Sequence, residues 1–452
     1  MHLPSRCRSP ALALALVCVM LFAAAIPARA QVFNPETATL GNGMQVVVVT
    51  NRRAPVVTHM VWYRVGALDE PPAKSGIAHL LEHLMFKGTN TLKPGEFSAT
   101  VSRNGGQENA FTGTDYTGYW QSVAVDRLET MMTIEADRMA NLVLTPEVVA
   151  PEVLVVMEER RSRVENEPGS QLREKANAAM FMNHPYRLPI IGWEHEIAGL
   201  TQDDALAFYR SWYAPNNAVL VVAGDVTLAD VLPLAEKTYG LIPARALPDR
   251  LDWREPENRA DATVTLSDPK VTTPSWGRSF QAPSYLYGAI EHAYALQVLA
   301  EILSGGPTTR LYKALVVDQG IASSAGAWYD PDRRGPGQFG FYASPRGDGT
   351  LETVAAAMEA EIARLLSDGV TPEEVERAKR SMQDAAILAR DSLTAPARAL
   401  GSALAIGLTV DDVEDWPNRI GAVTPEQVLA AAKAVLADAA SVTSILKPGE
   451  TK

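Results

Sequence analysis

The chain has 452 residues, 47% hydrophobic and 21% charged, a balance that excludes intrinsic disorder and leaves material for more than one packed domain. Its 41 Lys and Arg against 53 Asp and Glu give a formal net charge of -12, and no basic stripe stands out, which argues against nucleic acid as a partner. Both cysteines, Cys7 and Cys18, lie within residues 1–30, so disulfides, thiolate ligands and a cysteine nucleophile are not expected in the remainder.

Residues 1–30 read as an export signal. Arg6 and Arg8 precede the apolar run Ala11 to Ile26, and Ala28-Arg29-Ala30 is a small-x-small cleavage site. The expected mature chain begins at Gln31 and is periplasmic or secreted. No later segment is apolar enough over a sufficient length to span a membrane.

A strand-like run, Val56 to Val65, leads into a short helix punctuated by Ser75-Gly76 and Gly88. That helix carries His79-Leu80-Leu81-Glu82-His83. Histidines four apart project from one helical face and can share a metal ion. Zinc held by two nitrogens commonly completes its site with a carboxylate and keeps one position for water, and Glu82, on the same face, is placed to act as general base. Of the other histidines, His59 reads as a packed core residue, while His184 and His195 read as structural.

Thr-Pro-Glu at Thr145, Thr371 and Thr424 announces three helices, with threonine as cap, proline in the first turn and glutamate at the positive end. The first half closes with a helix, Thr201 to Tyr213, and a strand, Ala218 to Gly224. The second half opens with Ser275 to Gln281 and a helix from about Ala289 to Gly305, and it closes in the same order with Thr424 to Leu436 and Ser441 to Leu446. This points to an internal duplication. The expected division is a catalytic domain over 31–245, a Pro-rich charged linker over 246–261 and a homologous domain over 262–452. The fold class is α+β, each half a mainly antiparallel sheet with helices packed on one face.

The segments Gly76 to Thr89, Asn109-Ala110-Phe111-Thr112, His184-Pro185-Tyr186, Tyr213-Ala214-Pro215-Asn216-Asn217 and Gly224-Asp225 resemble the pitrilysin, insulin-degrading enzyme and mitochondrial processing peptidase family, the inverzincins. The resemblance implies a short, two-domain, zinc-dependent endopeptidase or oligopeptidase with one Zn2+ per chain, forming half of a clamshell that takes short or unfolded peptides. The family's spacing from His83 reaches Glu159 as third ligand, with Glu158 as competitor and Glu152 as an outer residue that orients the site. Glu152 and Glu159 are seven apart and face the same way on a helix, whereas Glu158 is turned by about 100°. Asn109, Ala110 and Phe111 resemble the edge strand that a peptide substrate extends.

In the second half Leu296, Leu299 and Ala300 stand where His79, Glu82 and His83 would be, so that half is expected to be catalytically silent. The family's later arginine and tyrosine pair is also missing, with Val316 and Ser323 at those positions. Arg310 belongs to a different family motif. Loss of an oxyanion donor costs about 10²–10³ in rate, which implies that a homologous partner subunit supplies the pair in a heterodimer. The competing reading is a non-catalytic structural subunit of a larger complex.

Overall fold

A computed structural model of the chain describes residues 32–437 and 439–449. The export segment expected at residues 1–30, with both cysteines, lies outside the described residues. The strands form two sheets. The first contains β1 (Glu36–Thr39), β2 (Gln45–Thr50), β3 (Val56–Tyr63), β4 (Gln107–Thr112), β5 (Thr117–Ala124) and β6 (Ala218–Gly224), in the order β1-β2-β6-β3-β5-β4. The second contains β7 (Ala262–Asp268), β8 (Ser275–Ala282), β9 (Ala322–Asp330), β10 (Gly337–Pro345) and β11 (Ser441–Pro448), in the order β7-β11-β8-β10-β9.

With β1 set aside, the two orders correspond strand for strand. Each sheet has one parallel pair in the same place, β2 with β6 and β7 with β11, and the remaining pairs are antiparallel. The duplication read from the helix-then-strand endings is therefore repeated in topology. Thr371 and Thr424 cap their helices as expected, accepting from the N–H groups of Glu374 and Gln427. Thr145 occupies the same position, but its side chain makes no cap bond.

β2, β3 and β6 are buried at nearly every position because both faces of the first sheet are covered. On one face Val46, Val48, Val61, Leu220 and Val222 pack against helices of the first half. On the other, Val47, Met60, Trp62, Val219 and Val221 pack against Ala397, Leu400 and Leu404. Those three belong to the helix Ala395–Ile406 of the second half. The second sheet shows the reciprocal arrangement: the helix Pro168–Met180 of the first half lies on β7 and β11, where Ala176, Ala179 and Met180 meet Ala262, Val264 and Val442. The halves thus exchange a helix.

Residues 243–259 carry no regular secondary structure, yet they are tied down. Arg250 pairs with Asp69 at 2.6 and 2.8 Å, and Glu255 accepts from the N–H groups of Met182, Asn183 and His184 at 2.6–3.0 Å.

Candidate metal centre

The helix Ile77–Leu84 is anchored by its apolar face, with Ile77, Leu80, Leu81 and Leu84 at most 1% exposed. Its N-terminus has an unusual cap. Gly76 is left-handed, with φ 89°, and a Cβ there would meet the Ile191 carbonyl oxygen at 2.5 Å, so only glycine fits. Glycine offers no capping side chain, and Glu70 takes that role from outside the helix by accepting from Gly76 and Ala78 N–H at 3.0 Å. The carboxylate of Glu196 accepts from Ser75 N–H at 2.7 Å.

Anchored this way, the helix points His79, Glu82 and His83 into a cleft of ≈ 1080 Å³. The two imidazole rings lie 4.8 Å apart, centroid to centroid. Glu159, near the end of the helix Pro146–Arg160, stands opposite them, with Oε2 3.2 Å from His83 Nε2 and Oε1 3.8 Å from His79 Nε2. One ligand atom from each of His79, His83 and Glu159 falls within 4.8 Å of the others. Two imidazoles and a carboxylate match the donors that zinc takes when it keeps a position for water, so the residues fit the ion.

Around this trio the carboxylates are sorted by helical angle. Glu152 accepts from His83 Nδ1 at 2.9 Å and pairs with Lys87 at 2.5 Å, the outer contact that fixes an imidazole's orientation and tautomer. Burial works against the charge of Glu152, but its bonds to His83 and Lys87 hold its carboxyl below the usual range. Glu158 turns away to solvent, its side chain 66% exposed and paired with Arg161. Glu159 is also held by Arg163 at 2.7 Å, and the hydrogen bond from His83 lowers its carboxyl. Burial pushes His79 down to about 4, with His83 contributing, whereas Glu152 and Glu159 raise His83 to about 9 despite burial. A π-helical turn, Arg161–Glu165, follows Glu159. It is pinned by Arg160, which bonds Glu174 and the Gly192 carbonyl at 2.8 Å.

Glu82 receives a hydrogen bond from Thr112 Oγ1 at 2.5 Å. Burial raises its carboxyl above the ordinary value, and the Thr112 bond opposes the shift. Thr112 ends β4, the outermost strand of the first sheet, so Asn109, Ala110 and Phe111 lie on an unpaired edge that lines the same cleft. The N–H of Ala110 donates to the side-chain oxygen of Asn109 at 2.8 Å. Phe111 packs edge-on against Trp62, centroids 5.0 Å apart.

Other histidines stand apart. His59 is fully buried between Gln121 Oε1 at 2.7 Å and Tyr239 OH at 2.8 Å. His184 is buried and accepts from Tyr186 N–H at 3.3 Å. His195 was read as structural with it, but its side chain is 80% exposed. In the second half Leu296 and Leu299 are fully buried, and Ala300 packs against the same core. Val316 is buried in the Tyr312–Asp318 turn of helix, Ser323 lies on β9, and neither lines the cleft. Arg310 is engaged by both oxygens of Glu374 and by the Gly369 carbonyl.

Sequence reasoning missed Thr112, Lys87, Arg163 and Arg333 as neighbours of the site. Arg163 was recoverable, because it follows Glu159 by one helical turn. Arg333 was not: it reaches the cleft from the turn between β9 and β10, and among the lining residues it alone comes from the second half.

Two family descriptions cover much of the chain, Insulinase (Peptidase family M16) over residues 45–194 and Peptidase M16 inactive domain over residues 199–382. The chain is 32% identical to the zinc protease PqqE of Helicobacter pylori over 318 residues, 70% of this chain and 71% of that protein. The crystal structure of a protease from Helicobacter pylori superposes with a TM-score of 0.85 at 29% identity, covering 92% of this chain and 99% of the other. The periplasmic protease PqqL from Escherichia coli shares the fold at 19% identity and a TM-score of 0.79, and this chain spans 48% of its length. The chain belongs to peptidase family M16, the insulinase family.

Proposed function

We propose that this protein is an exported zinc-dependent peptidase acting on short or unfolded peptides. His79, His83 and Glu159 would hold one zinc ion, and Glu82 is the general base. The observation that carries this reading is the convergence of those three ligand groups on one wall of a cleft that also contains Glu82 and the free edge of β4.

Zinc bound there supplies Lewis-acid chemistry toward the scissile carbonyl. The chain's own residues do the rest. β4 aligns an extended peptide by backbone pairing, with Ala110 N–H passing from Asn109 to a substrate carbonyl. Glu82, held by Thr112, takes a proton from the attacking water and returns it to the leaving amine. Glu152 keeps the Nε2 of His83 turned toward the metal position.

The test is cleavage of quenched peptides by the wild type and Glu82→Gln, with zinc content measured on both. The expected result is about one zinc per chain in each and a loss of about 10²–10⁴-fold in kcat/KM for the variant. A variant that cuts like the wild type removes Glu82 from the mechanism. Absence of both zinc and cleavage would instead fit a non-catalytic structural subunit.

The proposal extends to a heterodimer in which a homologous subunit closes the cleft and supplies an arginine and a tyrosine. Two observations support it: among the described residues Arg333 is the second half's one contribution to the cleft lining, and PqqL contains about twice the length that this chain spans. Native mass measurement with activity assays checks it. A fully active homodimer or monomer sinks it.

A further inference from the structure

Of the three candidate ligands, Glu159 has the least support of its own. His79 and His83 stand on a helix fixed by its apolar face and by Glu70 and Glu196 at its start. Glu159 is the last but one residue of the helix Pro146–Arg160, and the π-helical turn Arg161–Glu165 follows it. The α-helical bond pattern therefore changes where the ligand stands. The side chain of Glu159 meets the two histidines and Arg163. The histidines are the groups against which it must be placed, and Arg163, 73% exposed, is too free to place it.

The next residue, Arg160, supplies what is missing. It is buried, and its guanidinium meets three different segments. Nη1 and Nη2 donate to the two carboxylate oxygens of Glu174 at 2.8 and 3.1 Å, the forked geometry that holds a guanidinium in one orientation. Nη1 also donates to the Gly192 carbonyl at 2.8 Å, and Nε lies 2.9 Å from Glu165 at the end of the π-helical turn. Trp193, beside Gly192, donates its N–H to Ser75 Oγ at 2.9 Å, just before the histidine helix. Short contacts thus run from the backbone beside Glu159 to the element that carries His79 and His83.

Glu174 is a firm anchor because both faces of its helix are in use. In Pro168–Met180, the residues Ser170, Arg173, Glu174 and Asn177 line the metal cleft, the spacing of one helical face. Ala176, Ala179 and Met180 lie against the second sheet. The second half also holds this segment at both ends. Lys270 donates to Asn166 Oδ1 at 3.3 Å, and Gln281 donates to the Met180 carbonyl at 2.7 Å. A buried ion pair adds little stability over apolar side chains of the same size. What Arg160 and Glu174 add is a fixed direction.

We propose that Arg160 is a positioning residue for the metal: through Glu174 and the Gly192 carbonyl it sets Glu159 at the distance from His79 and His83 that one ion can bridge. The proposal rests on the metal reading above. It also gives a task to the second half, which carries none of the three ligand groups but seats the helix that carries Glu174.

The test is calorimetric titration of the metal-free proteins with zinc. Arg160→Met and Glu174→Gln are each expected to weaken zinc binding about 10–100-fold, with circular dichroism unchanged. Both are then repeated in a Glu159→Gln background, where the residual affinity belongs to the histidines. There neither substitution should weaken zinc by more than about threefold, because the group that Arg160 places is gone. Glu174→Gln decides the matter if Arg160→Met does not fold. Undiminished zinc affinity in the folded variants overturns the proposal and leaves the metal reading standing. An equal loss with and without Glu159 overturns it too, by assigning the effect to the histidine helix. A wild type that takes up no zinc overturns the metal reading and this proposal together.

Discussion

Glu158 and Glu159 are adjacent in the chain and meet opposite surroundings, one paired with Arg161 at the surface and one facing two histidines. A helix turns by about 100° per residue, so neighbours cannot share a face. Glu159→Gln is expected to abolish stoichiometric zinc binding, whereas Glu158→Gln should leave zinc content and cleavage unaltered. Glu152→Gln deprives His83 Nδ1 of its carboxylate acceptor and should weaken zinc about 10–100-fold in competition with a chelator. An unchanged affinity would disconnect Glu152 from the metal. Free zinc at a hundredfold excess over its dissociation constant should stabilise the fold by about 2.7 kcal/mol, seen as a higher Tm that a chelator reverses. Arg310 illustrates a motif residue with a structural task. Burial works against the charge of Glu374, but its bonds to Arg310 hold its carboxyl below the ordinary range. Since the folded pKa is depressed, the stabilisation is present above the unfolded pKa and is lost as pH falls through the folded one. Arg310→Met should therefore cost about 1–3 kcal/mol at neutral pH, a difference that shrinks in acid unfolding curves. A difference independent of pH would assign the loss to packing.

The histidine helix shows how an element with a poor local cap is made secure. Gly76 is required for its backbone conformation and its closeness to Ile191, and the missing cap is supplied by Glu70 across a turn. The helix Ala395–Ile406 depends on glycine for another reason. A Cβ on Gly401 would lie 2.0 Å from the indole nitrogen of Trp62, and Trp62 is itself wedged against Phe111 and Tyr116. Gly401→Ala gains helix propensity worth about 1 kcal/mol, yet the clash should outweigh it and destabilise the protein by about 1–3 kcal/mol net. Chemical denaturation measures this. Because Phe111 borders the substrate edge of β4, the variant should also raise KM for peptides, and an unaltered KM would show that the packing beneath β4 does not transmit to the edge.

The reciprocal exchange of helices is expected to make the two halves fold as one unit. Removing the second half would strip Ala397, Leu400 and Leu404 from the first sheet and expose Val47, Met60, Trp62, Val219 and Val221, and each such side chain is worth about 1.5–3 kcal/mol when buried. Calorimetry of the whole protein is therefore expected to show one cooperative transition, and residues 31–245 made alone should aggregate. Two resolved transitions, or a soluble and folded first half, would show that the exchanged helices contribute little. The segment 243–259 points the same way, since Arg250 and Glu255 bind it to Asp69 and His184 of the first half.

Much of the candidate site was legible in the chain because its geometry is local. His79 and His83 are one helical turn apart, so helical periodicity alone places them on a common face. Glu152 and Glu159, two turns apart, were singled out only by the resemblance to the family, since an acidic helix by itself reads as a solvated face. The repeated helix and strand endings and the capping threonines Thr371 and Thr424 are local in the same sense. What tertiary structure decided is every contact between segments remote in sequence: that the His and Glu pairs face each other, that Thr112 steadies Glu82, and that Arg333 crosses from the second half. The helix exchange belongs here too. An apolar sequence reports that a face must be buried but not what buries it, because hydrophobic burial is non-directional and any apolar surface of fitting shape will serve.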